Sequence, residues 1–99
     1  MKHTEFIDAF ADRHDDEEIL RADGLDEACM GWSDSWNGNE RNIRLVYDIA
    51  KVINILQERD GMTYEGAVEH YEFNIAGSYV GKKTPIYVNS LQDTAEYYL

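Results

Sequence analysis

The acidic residues of this chain are unevenly placed, and their placement limits what each part can fold into. Twelve of the twenty Asp and Glu side chains fall in the first forty residues, beside only Lys2, Arg13 and Arg21, a net of −9. The other fifty-nine residues carry eight acids and six bases, a net of about −2. Ionised carboxylates resist burial, so the N-terminal part can offer a core little more than one apolar stripe. Most of the core must come from the remainder. A dense acidic face also repels nucleic acid and anionic membrane and attracts basic protein surfaces.

The length of 99 residues predicts a single domain over residues 1–99, with an acidic N-terminal helix at about 4–22 and a core at about 28–90. At 43% hydrophobic and 12% aromatic, the chain has enough apolar mass to exclude global disorder. Cys29 is the only cysteine, so an intramolecular disulfide and a cysteine-based zinc site are excluded. The opening Met-Lys-His-Thr-Glu-Phe lacks the apolar centre of a signal peptide. No apolar run approaches the ~20 residues of a membrane helix. The expected compartment is the cytoplasm.

Thr4 is placed to cap the first helix, with Glu5 and Asp8 near the positive end of its dipole. Phe6, Ile7, Phe10 and Ala11 form its apolar stripe. Gly24 stops it, with a break allowed at Asp15-Asp16. Extended structure follows at Cys29 to Trp32 and at Asn42 to Tyr47, around Asn37-Gly38, a strong hairpin-turn signal. Ile43 to Tyr47 does not alternate strictly in hydropathy, which predicts a strand buried on much of both faces. Asp48 is placed to cap a helix with the stripe Ile49, Val52, Ile53 and Leu56, closed by Asp60-Gly61. Thr63 opens another, whose stripe Tyr64, Val68, Tyr71, Ile75 and Tyr79 ends at Gly81 or, earlier, at Gly77. Thr84-Pro85 enforces extended backbone, Ile86 to Val88 reads as a third strand, and Ser90 begins a final turn or two of helix. The fold class is α+β: a small three-stranded, mostly antiparallel sheet packed against two or three helices.

Several strings carry a resemblance. They are Ala22 to Ala28, Val46-Tyr47-Asp48, Arg59 to Glu65, Tyr71 to Gly77, Tyr79-Val80-Gly81 and Thr84-Pro85-Ile86. Together they resemble a widespread group of small acidic proteins of bacteriophages and bacteria whose function is unknown. The chain departs from the group at Val52, where a cysteine is common, and at Gly66, where a glutamate is common. The resemblance implies a phage setting, hence a bacterial host cytoplasm, and brings no catalytic residue with it.

The residues offer little to catalysis. His14 with Glu17 and Glu18 would share a helix face, but two or three ligands on one helix make a weak metal site, and the run lacks the Gly and terminal Glu of a calcium loop. No phosphate-binding glycine pattern is present. Carboxylate pairs could do acid–base work only in a desolvating pocket. A small acid–base enzyme therefore stays as a remote alternative, with no catalytic, cofactor or metal residue assigned. Direct nucleic-acid binding requires clustered Lys and Arg, and here nine bases are scattered among twenty acids.

What remains is the acidic face and Trp36, an aromatic residue of the type enriched in interface anchors. The partner-binding candidates are Asp8, Asp12, Asp15, Asp16, Glu17, Glu18 and Trp36. The expected function is a non-enzymatic, phage-type interaction protein that binds and inhibits a basic, nucleic-acid-handling host protein. Carboxylates on successive helical turns, ~5–6 Å apart, would stand in for DNA phosphates as an anti-defence mimic. The alternative is a structural or accessory phage protein acting as a small homo-oligomer, such as a homo-dimer.

Overall fold

A computed structural model describes residues 2–91. Its order is α1 (His3–Arg13), a 3₁₀ turn (Asp26–Ala28), β1 (Cys29–Asn37), β2 (Glu40–Asp48), α2 (Ile49–Asp60), α3 (Tyr64–His70), a π-helical stretch (Tyr71–Ala76) and β3 (Ile86–Val88). The class is α+β. The helix expected after Ser90 lies outside the described residues, apart from its first positions.

The sheet grows from the β1–β2 hairpin. Asn37 pairs with Glu40, so the two-residue loop is Gly38-Asn39, one position later than the Asn-Gly signal suggests. Gly38 has φ +63 while no described non-glycine residue has positive φ, the pattern of a type II′ turn with glycine at its first central position. The sheet order is β1-β2-β3, and β3 runs parallel to β2. It is therefore mixed: nine-residue antiparallel strands with a three-residue parallel addition. A parallel neighbour needs a crossover connection, which α2, α3 and the π-helical stretch supply.

Burial along β2 alternates cleanly, which corrects the two-faced reading. Ile43, Leu45 and Tyr47 are 1%, 0% and 0% exposed, whereas Arg44 and Val46 are half-buried. One face of β2 thus meets the helices. Against it pack Ile7 and Phe10 of α1, Leu25 and Ala28 of the connecting segment, Val52, Ile53 and Leu56 of α2, and Ala67 of α3. Truncating a residue such as Leu45 would cost about 2–5 kcal/mol.

The N-terminal helix ends at Arg13, well short of Gly24. Continuing it would stack Asp15, Asp16, Glu17 and Glu18 at the negative end of the helix dipole, with like charges a turn apart. Instead, His14 leaves helical geometry and its Nδ1 sits 2.9 Å from the Phe10 carbonyl. Lys2 holds the N-cap position, and the Thr4 hydroxyl donates to Asp26 at 2.8 Å rather than capping. In α2, Asp48 occupies the N-cap position without a capping side-chain bond, and Gly61 closes the helix in the left-handed conformation at φ +69. Thr63 does cap α3, accepting from the Gly66 N–H at 3.1 Å. The long stripe of that helix is interrupted: after His70 the chain widens into π turns and ends at Gly77. Val68, Tyr71 and Ile75 stay half-buried, while Tyr64 at the start of α3 and Tyr79 beyond the helix end are 61% and 76% exposed.

Tyr47 gathers the pieces. Its ring lies 5.7 Å from that of Tyr87 on β3, which meets Tyr71 edge-on at 5.7 Å. Its hydroxyl accepts the Ala22 N–H at 2.9 Å. Burial pushes the phenol up from 10 to about 12, because the charged form cannot be solvated there. The sign follows: the native state holds the proton more tightly than the unfolded chain, so this contribution is complete below pH 10 and is lost as pH rises from 10 to about 12. Alkaline denaturation followed by circular dichroism should place unfolding in that window. Tyr47→Phe should move the alkaline midpoint upward while costing about 1 kcal/mol at neutral pH through the lost hydrogen bond.

Candidate acidic interface

The carboxylates of the N-terminal region do not act as one surface. Asp8 binds Arg21 at 2.7 Å, and the same guanidinium reaches Asp26 at 2.9 Å. Arg21 is raised above the ordinary arginine value, first by its hydrogen bond to Asp8. This fork folds the segment after α1 back along the helix and consumes Asp8. Glu17 binds Lys83 at 2.6 Å, with side chains 18% and 22% exposed respectively. That pair ties the acidic turn to the loop ahead of β3, which Arg44 also holds by donating to the Thr84 carbonyl at 2.6 Å.

Asp12, Asp15, Asp16 and Glu18 are all exposed, and among the described residues none makes an ion pair. They flank the turn at residues 14–17 and form the dense part of the acidic surface. The turn lies beside the hairpin. Arg41 is raised first by its hydrogen bond to Asp34, and Glu17 and Asp16 add to that from farther off. Arg41 grips Asp34 with two hydrogen bonds of 2.9 and 2.6 Å and holds its carboxyl below the usual range. The Arg41 guanidinium also stands 6.0 Å over the ring of Trp36, its cross-strand neighbour. Trp36 is 66% exposed. The structure thus puts four of the seven candidates on a free surface, joins Trp36 to it through Arg41, and gives Asp8 and Glu17 to internal pairs.

An aromatic cluster borders this surface. Phe6 and Phe10 of α1 lie 5.9 and 4.8 Å from Trp32 of β1, and His14 lies 4.3 Å from Phe10. A cleft of about 370 Å³ opens among these rings, Ala9 and Arg13. Trp32 remains 48% exposed, so it does not simply roof the core. The Phe6/Phe10 spacing of four was the sequence signal for this cluster, but its third member comes from a strand.

Two other features bear on chemistry. A cleft of about 440 Å³ beside the end of α2 holds Asp23, Asp60 and His70. Asp60 is bound by Arg59 at 2.9 Å and held below the usual carboxylate range, whereas a general acid needs a shift upward. Cys29 is buried, its thiol donates to the Gly31 carbonyl at 3.6 Å, and burial pushes it up, away from the reactive thiolate. Among the described residues no group of three His, Cys, Asp or Glu could hold a metal ion. No described helix is long and apolar enough to cross a membrane.

The adjacent lysines give a direct test of how burial scales these ion pairs. Lys82 binds Glu40 at 2.9 Å with both side chains largely exposed, 64% and 45%. Water and salt screen such a pair almost completely, and the less exposed Glu17–Lys83 pair should lie above it. Double-mutant cycles in urea should therefore find a coupling near zero for Glu40/Lys82. For Glu17/Lys83 they should find roughly 1 kcal/mol.

Comparison with known proteins does not add a relative: no family model, no curated protein and no solved structure matches the chain.

Proposed function

We propose that this chain is a non-enzymatic interaction protein of phage type that binds a basic, nucleic-acid-handling host protein and inhibits it by occupying its basic surface. The observation that carries the reading is the set Asp12, Asp15, Asp16 and Glu18, exposed and without an ion pair among the described residues, in a chain of net charge −11. A surface of this kind steers a cationic partner at long range and repels nucleic acid. Trp36, exposed and stacked under Arg41, supplies the large rigid side chain that interfaces use as an anchor.

The reading rests on charge density rather than on a phosphate-like ladder. With α1 ending at Arg13, the helical carboxylate face is limited to Glu5, Asp8 and Asp12, and its middle member Asp8 is held by Arg21. DNA mimicry would therefore operate through the clustered charge of the turn. The bacterial host cytoplasm is the setting this function requires.

The tagged full chain should retain a basic nucleic-acid-binding protein from host lysate at low salt and release it as salt rises. Added duplex DNA should compete. Replacing Asp12, Asp15, Asp16 and Glu18 together by Lys should abolish retention with the melting temperature little changed. Trp36→Ala should weaken binding by about tenfold or more, as truncation of an anchor does. Retention of no basic protein, or retention indifferent to the four reversals, would refute the proposal.

A further inference from the structure

β1 is an edge strand, since the order is β1-β2-β3 and among the described residues no strand pairs with its outer side. An open edge of nine residues presents a row of main-chain donors and acceptors, which proteins commonly blunt with Lys, Pro or inward-pointing charge. The sequence Cys-Met-Gly-Trp-Ser-Asp-Ser-Trp-Asn contains no Lys or Pro. Its single charge, Asp34, is neutralised across the sheet by Arg41. A bulge between Cys29 and Gly31 is the only irregularity in the β1–β2 pairing. The strand also carries three large side chains that the fold leaves exposed, Met30, Trp32 and Trp36.

The two ends of β1 differ in the charge around them. At the hairpin end stands the acidic turn, with Asp16 close enough to act on Arg41. At the other end Lys2 and Lys51 line a cleft of about 390 Å³ together with Met30 and Trp32. Neither lysine makes an ion pair among the described residues. Two copies of such a strand related by a two-fold axis run antiparallel, so the acidic end of each meets the lysine end of the other. Strand addition at an edge draws its affinity from main-chain hydrogen bonds and its register from side chains.

The geometry points to a symmetric dimer in which two copies of this chain pair antiparallel through the outer edges of β1, centred on Ser33, to form one continuous six-stranded sheet. Centring on Ser33 places two hydroxyls at the axis, whereas centring on Asp34 would oppose two carboxylates. It sets Trp36 of each copy against Met30 of the other and brings each acidic turn toward Lys2 and Lys51. The charge of −11 on each copy opposes association at long range, but beyond about 8–10 Å that repulsion is screened at physiological salt. The contact-range attraction between strand ends persists. This dimer does not depend on the basic-partner reading, whose charged residues lie on the acidic turn; the two share only Trp36, which stands on β1.

Sedimentation equilibrium of the full chain, from micromolar to millimolar concentration at physiological salt, should show the mass rising from 11.5 kDa toward twice that value. Ser33→Lys, which opposes two cations at the axis, should weaken association at least several-fold while circular dichroism stays unchanged. Lys51→Glu, at an exposed helical position, should weaken it several-fold as well. Should Ser33→Lys disturb the fold, Ser33→Cys in a Cys29→Ala background provides the second measurement. Mild oxidation should then link two chains through residue 33 with high yield in the dimeric range. A monomeric mass throughout, unchanged association of folded Ser33→Lys, or a dimer that fails to cross-link through residue 33 would each overturn the proposal.

Discussion

The buried ring of Tyr47 is the point through which the rest of the structure is joined. It sits on the inner face of β2 with no exposed surface, faces Tyr87 across the parallel pairing, and accepts the Ala22 N–H. Each contact belongs to a different segment. Tyr87 carries β3, and through Tyr71 it connects to the π-helical stretch. Ala22 belongs to the irregular stretch between α1 and the 3₁₀ turn, which is neither helix nor strand. A tyrosine suits this place because its ring supplies buried area and its oxygen takes up an otherwise orphaned backbone donor. A phenylalanine would fill the space but leave that donor unmet.

The acidic load is managed by distribution. Net self-repulsion in a domain with ~5–15 kcal/mol of total stability is a real threat. The fold answers it where the chain is most crowded. Arg21 reaches two carboxylates, Lys83 returns from the far end of the sequence to meet Glu17, and His3 lies 2.9 Å from Glu27. These contacts also shape the backbone, because the Arg21 fork holds residues 14–25 against α1 in place of a longer helix. Of the acids left over, Asp12, Asp15, Asp16 and Glu18 are gathered at one turn.

What the sequence made legible was local. Val52, Ile53 and Leu56 all face the core at the expected spacing, Thr63 caps α3, Gly61 adopts the left-handed conformation, and Ile86 to Val88 forms the third strand. These features depend on residues within a turn or two of one another. The break at Asp15-Asp16 was legible, but not the loss of helix from 17 to 22, since that path rests on partners such as Asp26 and Lys83, the latter 66 positions from Glu17. The direction of β3 was hidden for a related reason: three residues of strand look alike in either orientation, and only the path of the crossover decides. The helix also ends at Gly77 while the stripe runs on in sequence, so its last member, Tyr79, lies beyond the helix and in solvent. Of the candidate site, the charge was visible but not its division between internal pairs and free surface.

That division gives the acidic turn and the edge of β1 separate physical roles. The turn is rich in charge and has no regular backbone to offer, so it can attract but not align. The edge of β1 has the reverse character: aligned backbone groups, exposed aromatic side chains and almost no unpaired charge. Arg41 links the two. It neutralises Asp34 on the strand, stacks on Trp36 and lies within the field of Asp16 and Glu17. Removing its guanidinium would expose Asp34 on the edge and join it to the acidic turn. An edge strand bearing an unpaired carboxylate is protected against pairing with another strand. A single cross-strand ion pair therefore keeps the edge of β1 competent for a partner strand while the charge beside it stays free.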